Sequence, residues 1–244
     1  MKKIFFIYNY FIYRLKAVNE HGVHSPFVFD LLMNVIYNKN EYYSFKKIEK
    51  VREEFLSSKK IIKISRIAKL DTLPSKYSQL LFRLVNHFMP PKIIEIGTSF
   101  GTSTAYMASA NSKNSIITIE KDEEIAEIAK QNFKQLKLKN IEQRSGNIES
   151  ILKTIVTSDQ NLVFVCFDGH HCKQDLLNYF YLCIEKATEE SVFVFENMYL
   201  SPELKEAWNE IKNDNRVTVT LDLFFMGLVF FRKTQMKQHF VIKF

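Results

Sequence analysis

Glycine and proline are scarce in this chain, six and five among 244 residues. That excludes a collagen-like or Pro/Gly-rich low-complexity protein. A content of 46% hydrophobic and 25% charged residues excludes an extended disordered one. Cysteine is rarer still: Cys166, Cys172 and Cys183 make an odd number with no C-x-x-C pair. A disulfide framework and a zinc-finger site are both excluded, and a reducing, cytoplasmic setting is expected. Long apolar runs are missing too. Ile4–Tyr13 follows Met1-Lys2-Lys3 as in a signal peptide, but no small-residue cleavage site follows it. Arg14 and Lys16 interrupt the run, so it is too short to span a bilayer. The segment leaves room for a peripheral amphipathic contact and none for a transmembrane helix.

Charge is present in excess, 34 Lys/Arg against 27 Asp/Glu, or +7. The excess is unevenly placed. Residues 1–90 hold 16 basic and 7 acidic side chains, net +9, and residues 91–244 hold 18 and 20, net −2. Up to Met89 the pattern is helical. Phe5, Tyr8, Phe11, Ile12 and Leu15 recur at three- and four-residue spacing. Phe27, Leu31, Leu32, Val35 and Ile36 do the same behind a Ser25-Pro26 start. Further helices are expected over Tyr42–Leu56 and Lys76–Phe88, the latter stopped by Pro90-Pro91. Lys46–Lys69, with nine basic and three acidic residues, reads as a solvated face.

After Pro91 strands and helices alternate. Strands are predicted at Lys92–Gly97, Ile116–Glu120, Ile141–Arg144, Leu162–Asp168 and Val192–Glu196, and helices at Thr102 onward, Glu123–Leu136, Leu176–Ala187 and Pro202–Asn213. Val217–Leu221 and Gly227–Arg232 lie too close together for a helix between them, so they form an antiparallel hairpin. The fold expected is α/β: a doubly wound, Rossmann-like, seven-stranded sheet, mostly parallel, closed by that hairpin. Residues 1–70 form a basic helical extension and residues 71–244 the α/β domain.

The first strand runs into Glu95-Ile96-Gly97-Thr98-Ser99-Phe100-Gly101-Thr102-Ser103. Gly97 permits a sharp turn, and the exposed N–H groups of the helix start favour an anionic group. Glu120, ending the second strand, stands where an acid can hold both hydroxyls of a ribose. Ser99 occupies the middle Gly position of G-x-G-x-x-G and no third Gly follows, which argues against a nicotinamide dinucleotide.

This segment resembles E-x-G-x-G-x-G, the first motif of class I S-adenosylmethionine-dependent methyltransferases, over roughly residues 70–233. Within that superfamily the chain most resembles small-molecule O-methyltransferases of the catechol and caffeoyl-CoA type. The resemblance implies S-adenosyl-L-methionine as cofactor. Glu95, Gly97, Thr98, Ser99, Gly101 and Ser103 would surround its methionine part, Glu120 its ribose, and Gly146-Asn147 its adenine edge. The segment Thr72–Tyr77 would line the same pocket. The phrase from Ala17 to Phe27, with His21-Gly22-Val23-His24-Ser25-Pro26-Phe27 at its end, is similar to the leader of a bacterial subgroup of methyltransferases.

The resemblance also implies a chemical centre. Strand four ends in Phe167-Asp168-Gly169-His170-His171 and strand five in Phe195-Glu196-Asn197. In that family an Asp after strand four and an Asp-Asn pair after strand five hold Mg²⁺, and Asp168 also borders the sulfonium. Here Asp168, Glu196 and Asn197 would do so, with Glu in place of Asp; three oxygen side chains suit the ion. The family's lysine base is replaced by His171, whose imidazole can take a hydroxyl proton near neutral pH. His170 would contact metal or substrate. His21, His24 and Lys76 are candidates for the mouth, and Tyr77, Tyr199 and Trp208 for substrate walls.

No Asp/Asn-Pro-Pro-Tyr/Phe follows strand four and no Pro-Cys nucleophile occurs, which favours an oxygen acceptor over base or amide nitrogen and cytosine carbon. The partner expected is a small-molecule acceptor rather than nucleic acid, with room for a homodimer. Two alternatives stand beside it: an RNA methyltransferase using the basic leader, and a non-catalytic binding protein on a degenerate methyltransferase fold.

Overall fold

A computed structural model describes residues 2–57, 73–158, 161–168 and 172–244. The basic stretch from residue 58 to Lys69 therefore lies outside the described residues, as do Thr72, Gly169, His170 and His171. The chain divides into two compact units, one of Lys39–Ile148 and one of Met1–Asn38 with Glu149–Phe244.

The Lys39–Ile148 unit contains helices α3 (Tyr43–Ser57) and α4 (Ser75–Phe88), then strand β1 (Lys92–Ile96), α5 (Thr102–Ala110), β2 (Ser115–Glu120), α6 (Glu123–Gln135) and β3 (Ile141–Ser145). The strands are parallel in the order β3-β2-β1. β1 and β2 are buried almost throughout, as central strands covered on both faces must be. Local sequence sets the helix ends. Asp122 caps α6, its Oδ1 accepting from the Glu124 and Ile125 N–H groups at 2.9 and 3.1 Å. α4 stops at Met89, in the left-handed region at φ 45°, just before Pro90-Pro91. Phe45, Phe82 and Tyr106 cluster in the core of this unit.

The other unit contains α1 (Lys2–Lys16), α2 (Pro26–Leu31) running into a π turn (Leu32–Ile36), α7 (Ile148–Ser158), β4 (Leu162–Phe167), α8 (Lys173–Ile184), β5 (Ala187–Glu196), α9 (Pro202–Asn213), β6 (Val219–Asp222), β7 (Met226–Phe230) and β8 (Gln238–Val241). Ser25 and Ser201 cap α2 and α9, each with Pro at the first turn, as their sequences require. The strand order is β4-β5-β7-β6-β8. β4 and β5 are parallel, β7 is antiparallel to β5 and β6, and β8 is parallel to β6. The aromatic side chains of Phe167 and Phe195 stack at 4.5 Å, and Phe195 meets Trp208 at 5.8 Å.

Among the described residues eight strands thus replace the seven expected. The eighth, β8, has four residues and gains its strand character from pairing along Val219–Asp222, which its own half-exposed sequence does not announce. Helix α7 is a second element not predicted above, though Ile148, Leu152, Ile155 and Val156 are buried at helical spacing. In α1 the stripe that spacing picks out faces outward: Tyr8, Phe11 and Leu15 are exposed, while Asn9 and Tyr13 are buried. A helix apolar on nearly all sides does not declare which side it buries. No helix among the described residues is long and apolar enough to cross a membrane.

Candidate functional site

The loops after β1, β2 and β3 meet through the backbone. Gly97 and Thr98 N–H groups donate to the Ile119 carbonyl at 2.9 and 3.1 Å, and Gly146 N–H donates to the Glu120 carbonyl at 2.9 Å. The turn between β1 and α5 is wound through the left-handed region, with Gly97 at φ 96°, Ser99 at 47° and Gly101 at 78°. Gly101 is constrained twice. Its φ disfavours any side chain, and an added Cβ would lie 2.4 Å from the Phe133 ring of α6. This close approach seats the start of α5, whose cap residue Gly101 supplies no side-chain hydrogen bond. The first-turn N–H groups are thereby left without a side-chain cap, which suits an anionic group.

Two buried glutamates organise the turn. The Glu95 Oε2 accepts the hydroxyls of Thr104 at 2.5 Å and Thr118 at 2.6 Å. Since the one hydroxyl proton of Thr118 goes to Glu95, Thr98 donates to Thr118 at 2.6 Å. Glu120 accepts the Ser99 N–H on Oε2 at 2.8 Å and the Asp122 N–H on Oε1 at 3.1 Å. A carboxylate offers about four acceptor positions. Glu120 therefore keeps one position on each oxygen beyond those taken by the described residues, at the top of a parallel strand. Ser103 is half-buried in the first turn of α5, and Gly146 adopts φ 130° ahead of Asn147. Tyr77 is buried, with exposed Lys76 placing its Nζ 4.9 Å from the Tyr77 ring centre.

In the other unit, register aligns the ends of β4 and β5. Phe167 pairs with Phe195, so Asp168 and Glu196 follow at the same level. Both are buried, and so is Asn197, in the left-handed region at φ 57°. The Asn197 N–H donates to the Phe225 carbonyl at 2.8 Å, whereas its buried side-chain Nδ2 has no hydrogen-bond partner among the described residues. No group of three His, Cys, Asp or Glu side chains is assembled for a metal among the described residues. The trio here is two carboxylates and an amide.

Tyr199 and Trp208 turn inward. The Tyr199 hydroxyl donates to Asp222 Oδ2 at 2.5 Å and its ring stacks on Phe224. Burial, followed by the charge of Asp222, raises the phenol pKa. Trp208, fully buried, donates Nε1–H to the same oxygen at 3.2 Å. His21 is exposed; His24 is exposed beside Phe29, Asp30 and Met33 on an open hollow of about 450 Å³. Thr98, Thr104 and Thr118 are the participants that motif reading passed over or left without a mechanism. Their signal is the threonine that stands opposite Glu95 in the pairing of β1 with β2.

Residues 94–198, from β1 through Met198 beyond β5, match a family model described as a methyltransferase domain. The O-methyltransferase TomG of Streptomyces achromogenes, solved with S-adenosylmethionine, is 20% identical with a TM-score of 0.59, covering 84% of this chain and 95% of that one. An O-methyltransferase from Bacillus cereus in complex with S-adenosylhomocysteine is 18% identical with a TM-score of 0.59, covering 80% and 93%. The S-adenosylhomocysteine-bound methyltransferase PaMTH1 of Podospora anserina is 12% identical with a TM-score of 0.65, covering 86% and 98%. No curated protein matches the sequence. At these identities the likeness shows the fold, an α/β Rossmann-like methyltransferase fold with antiparallel strands near its C-terminal end.

Proposed function

We infer that this chain is an S-adenosylmethionine-dependent methyltransferase, and we propose that it methylates an oxygen of a small-molecule acceptor. One observation carries the cofactor half: a buried Glu120 that ties two loops together and has, among the described residues, an acceptor position left on each oxygen. Two adjacent ribose hydroxyls are the complementary donor pair. The uncapped start of α5 suits the carboxylate of the methionine moiety. Gly97, Thr98, Ser99, Gly101 and Ser103 would follow that moiety, Glu95 would hold their turn, and Gly146-Asn147 would border the base. The matched methyltransferase domain and the O-methyltransferases of like fold support the reading.

For the chemistry, bound S-adenosylmethionine would supply an electrophilic methyl group on sulfur. His171 would accept the proton of the acceptor hydroxyl. That methyl would pass to the deprotonated acceptor oxygen, the C–S electron pair staying with sulfur. The main task of this chain would be to hold the two reactants together in the right orientation. Asp168, Glu196 and Asn197, brought near one another by the register of β4 and β5, would supply oxygen ligands to Mg²⁺, which would stabilise the acceptor oxyanion. His170, His24, Lys76, Tyr77 and Tyr199 are proposed to shape acceptor access, the hydroxyl of Tyr199 being held by Asp222. Residues 71–244 would form the catalytic part and residues 1–70 the leader.

Calorimetry with S-adenosylhomocysteine should give micromolar binding, and an absence of heat with both it and S-adenosylmethionine would sink the assignment. His171→Ala should keep that binding and lower turnover by about 10²- to 10⁴-fold. Undiminished turnover in the variant would move the base elsewhere.

A further inference from the structure

Among the described residues helix α1 is apolar on two sides, one of them covered and the other exposed. On the inner side Phe6, Tyr10 and Tyr13 pack on Phe224 with ring centres 5.0 to 5.3 Å apart. Tyr13 donates its hydroxyl to the Ile242 carbonyl at 2.7 Å, and Lys205 of α9 donates to buried Asn9 at 2.7 Å. These contacts fix the rotation of the helix about its axis. On the outer side Ile4, Ile7, Tyr8, Phe11 and Leu15 are 74%, 57%, 61%, 60% and 68% exposed. At 3.6 residues per turn the five occupy one arc of about 100°. Scattered apolar side chains are ordinary on a protein surface, but a continuous stripe of five is not.

The charge around the stripe selects its occupant. The charged residues from Lys2 to Asn19 are Lys2, Lys3, Arg14 and Lys16, and the first acid is Glu20. Lys3 and Arg14 flank one margin of the arc. Lys205 adds its cation beside Asn9 on the inner side. A second copy of this helix would set like charges against one another, which disfavours self-association through this face. An anionic lipid surface satisfies both features: the stripe enters the boundary between headgroups and acyl chains, and the cations meet lipid phosphates.

We propose that the outer face of α1 docks this protein on anionic membranes, with the helix lying in the plane of the interface. The docking is independent of the methyl-transfer assignment. Cosedimentation with vesicles of phosphatidylcholine, alone or mixed with phosphatidylglycerol, tests it. The chain should pellet with the mixed vesicles at low salt, stay in solution with phosphatidylcholine alone, and be released by high salt. An Ile7→Ser/Phe11→Ser variant should bind at least about tenfold less, with its unfolding midpoint unchanged because both side chains are exposed. Lys3→Glu/Arg14→Glu should weaken binding while leaving the stripe intact. Wild-type protein that stays in solution with the mixed vesicles overturns the proposal. So does binding that neither variant weakens. A dimer in sedimentation equilibrium that Ile7→Ser/Phe11→Ser dissociates would assign the stripe to a second copy instead.

Discussion

Glu120 and Asp222 sit at matching places in the two units. Each is the last residue of its strand, each is buried, and each accepts the N–H of the residue two positions on, Asp122 at 3.1 Å and Phe224 at 2.9 Å. Their second oxygens differ. Glu120 takes one main-chain N–H from the Ser99 turn, leaving acceptor capacity on both oxygens. Asp222 takes two side-chain donors, Tyr199 and Trp208, on a single oxygen. A buried acid at a strand end is therefore not a site by position alone. Whether it can serve a ligand depends on how many of its lone pairs the protein has already used.

Three substitutions sharpen this contrast, and the largest effect falls on the turn that Glu120 supports. Gly101→Val should destabilise the protein by about 2–6 kcal/mol, combining a disfavoured left-handed conformation with a clash at Phe133. Urea unfolding measures it, and an unchanged midpoint would show that α6 yields freely.

Asp222→Ala comes next, at about 2–5 kcal/mol, because Tyr199, Trp208 and the Phe224 N–H would lose a buried acceptor. Cofactor affinity in the folded protein should stay at the wild-type value. A large loss of affinity would mean that Asp222 is more than a structural collector of donors. Glu120→Ala should have the smallest effect on stability and act chiefly on binding. Affinity for S-adenosylhomocysteine should fall about 10- to 100-fold, matching about 1.5–3 kcal/mol for hydrogen bonds to a charged group. Equal affinities by calorimetry would break the comparison, since the two acids would then serve the same purpose.

The geometry of the glycine turn after β1 was legible because it is local. Gly97, Ser99, Gly101 and Glu120 lie at the junctions of strands and helices whose apolar runs and caps are plain in the sequence. Their contacts span at most a few tens of residues. Beta strand β8 was not legible, since Gln238–Val241 becomes a strand by pairing with β6. The hydrogen bond from Tyr199 was not legible either, since nothing beside it in the chain announces Asp222, 23 positions away. His171 and His170 were legible as chemistry, and their roles rest on that reading.

Residue order by itself determined the alternating strands and helices, the glycine turn with its two glutamates, and the confinement of the net positive charge to the first third of the chain. These follow from side-chain period, backbone freedom and simple charge. Tertiary structure alone decided which lone pairs remain open on Glu120, which aromatic rings close over Asp222, and which face of α1 is left in water. Those outcomes depend on distant residues arriving at the same place. A helix with two apolar faces, or an acid with several donors in range, takes its role from the neighbours that packing brings to it.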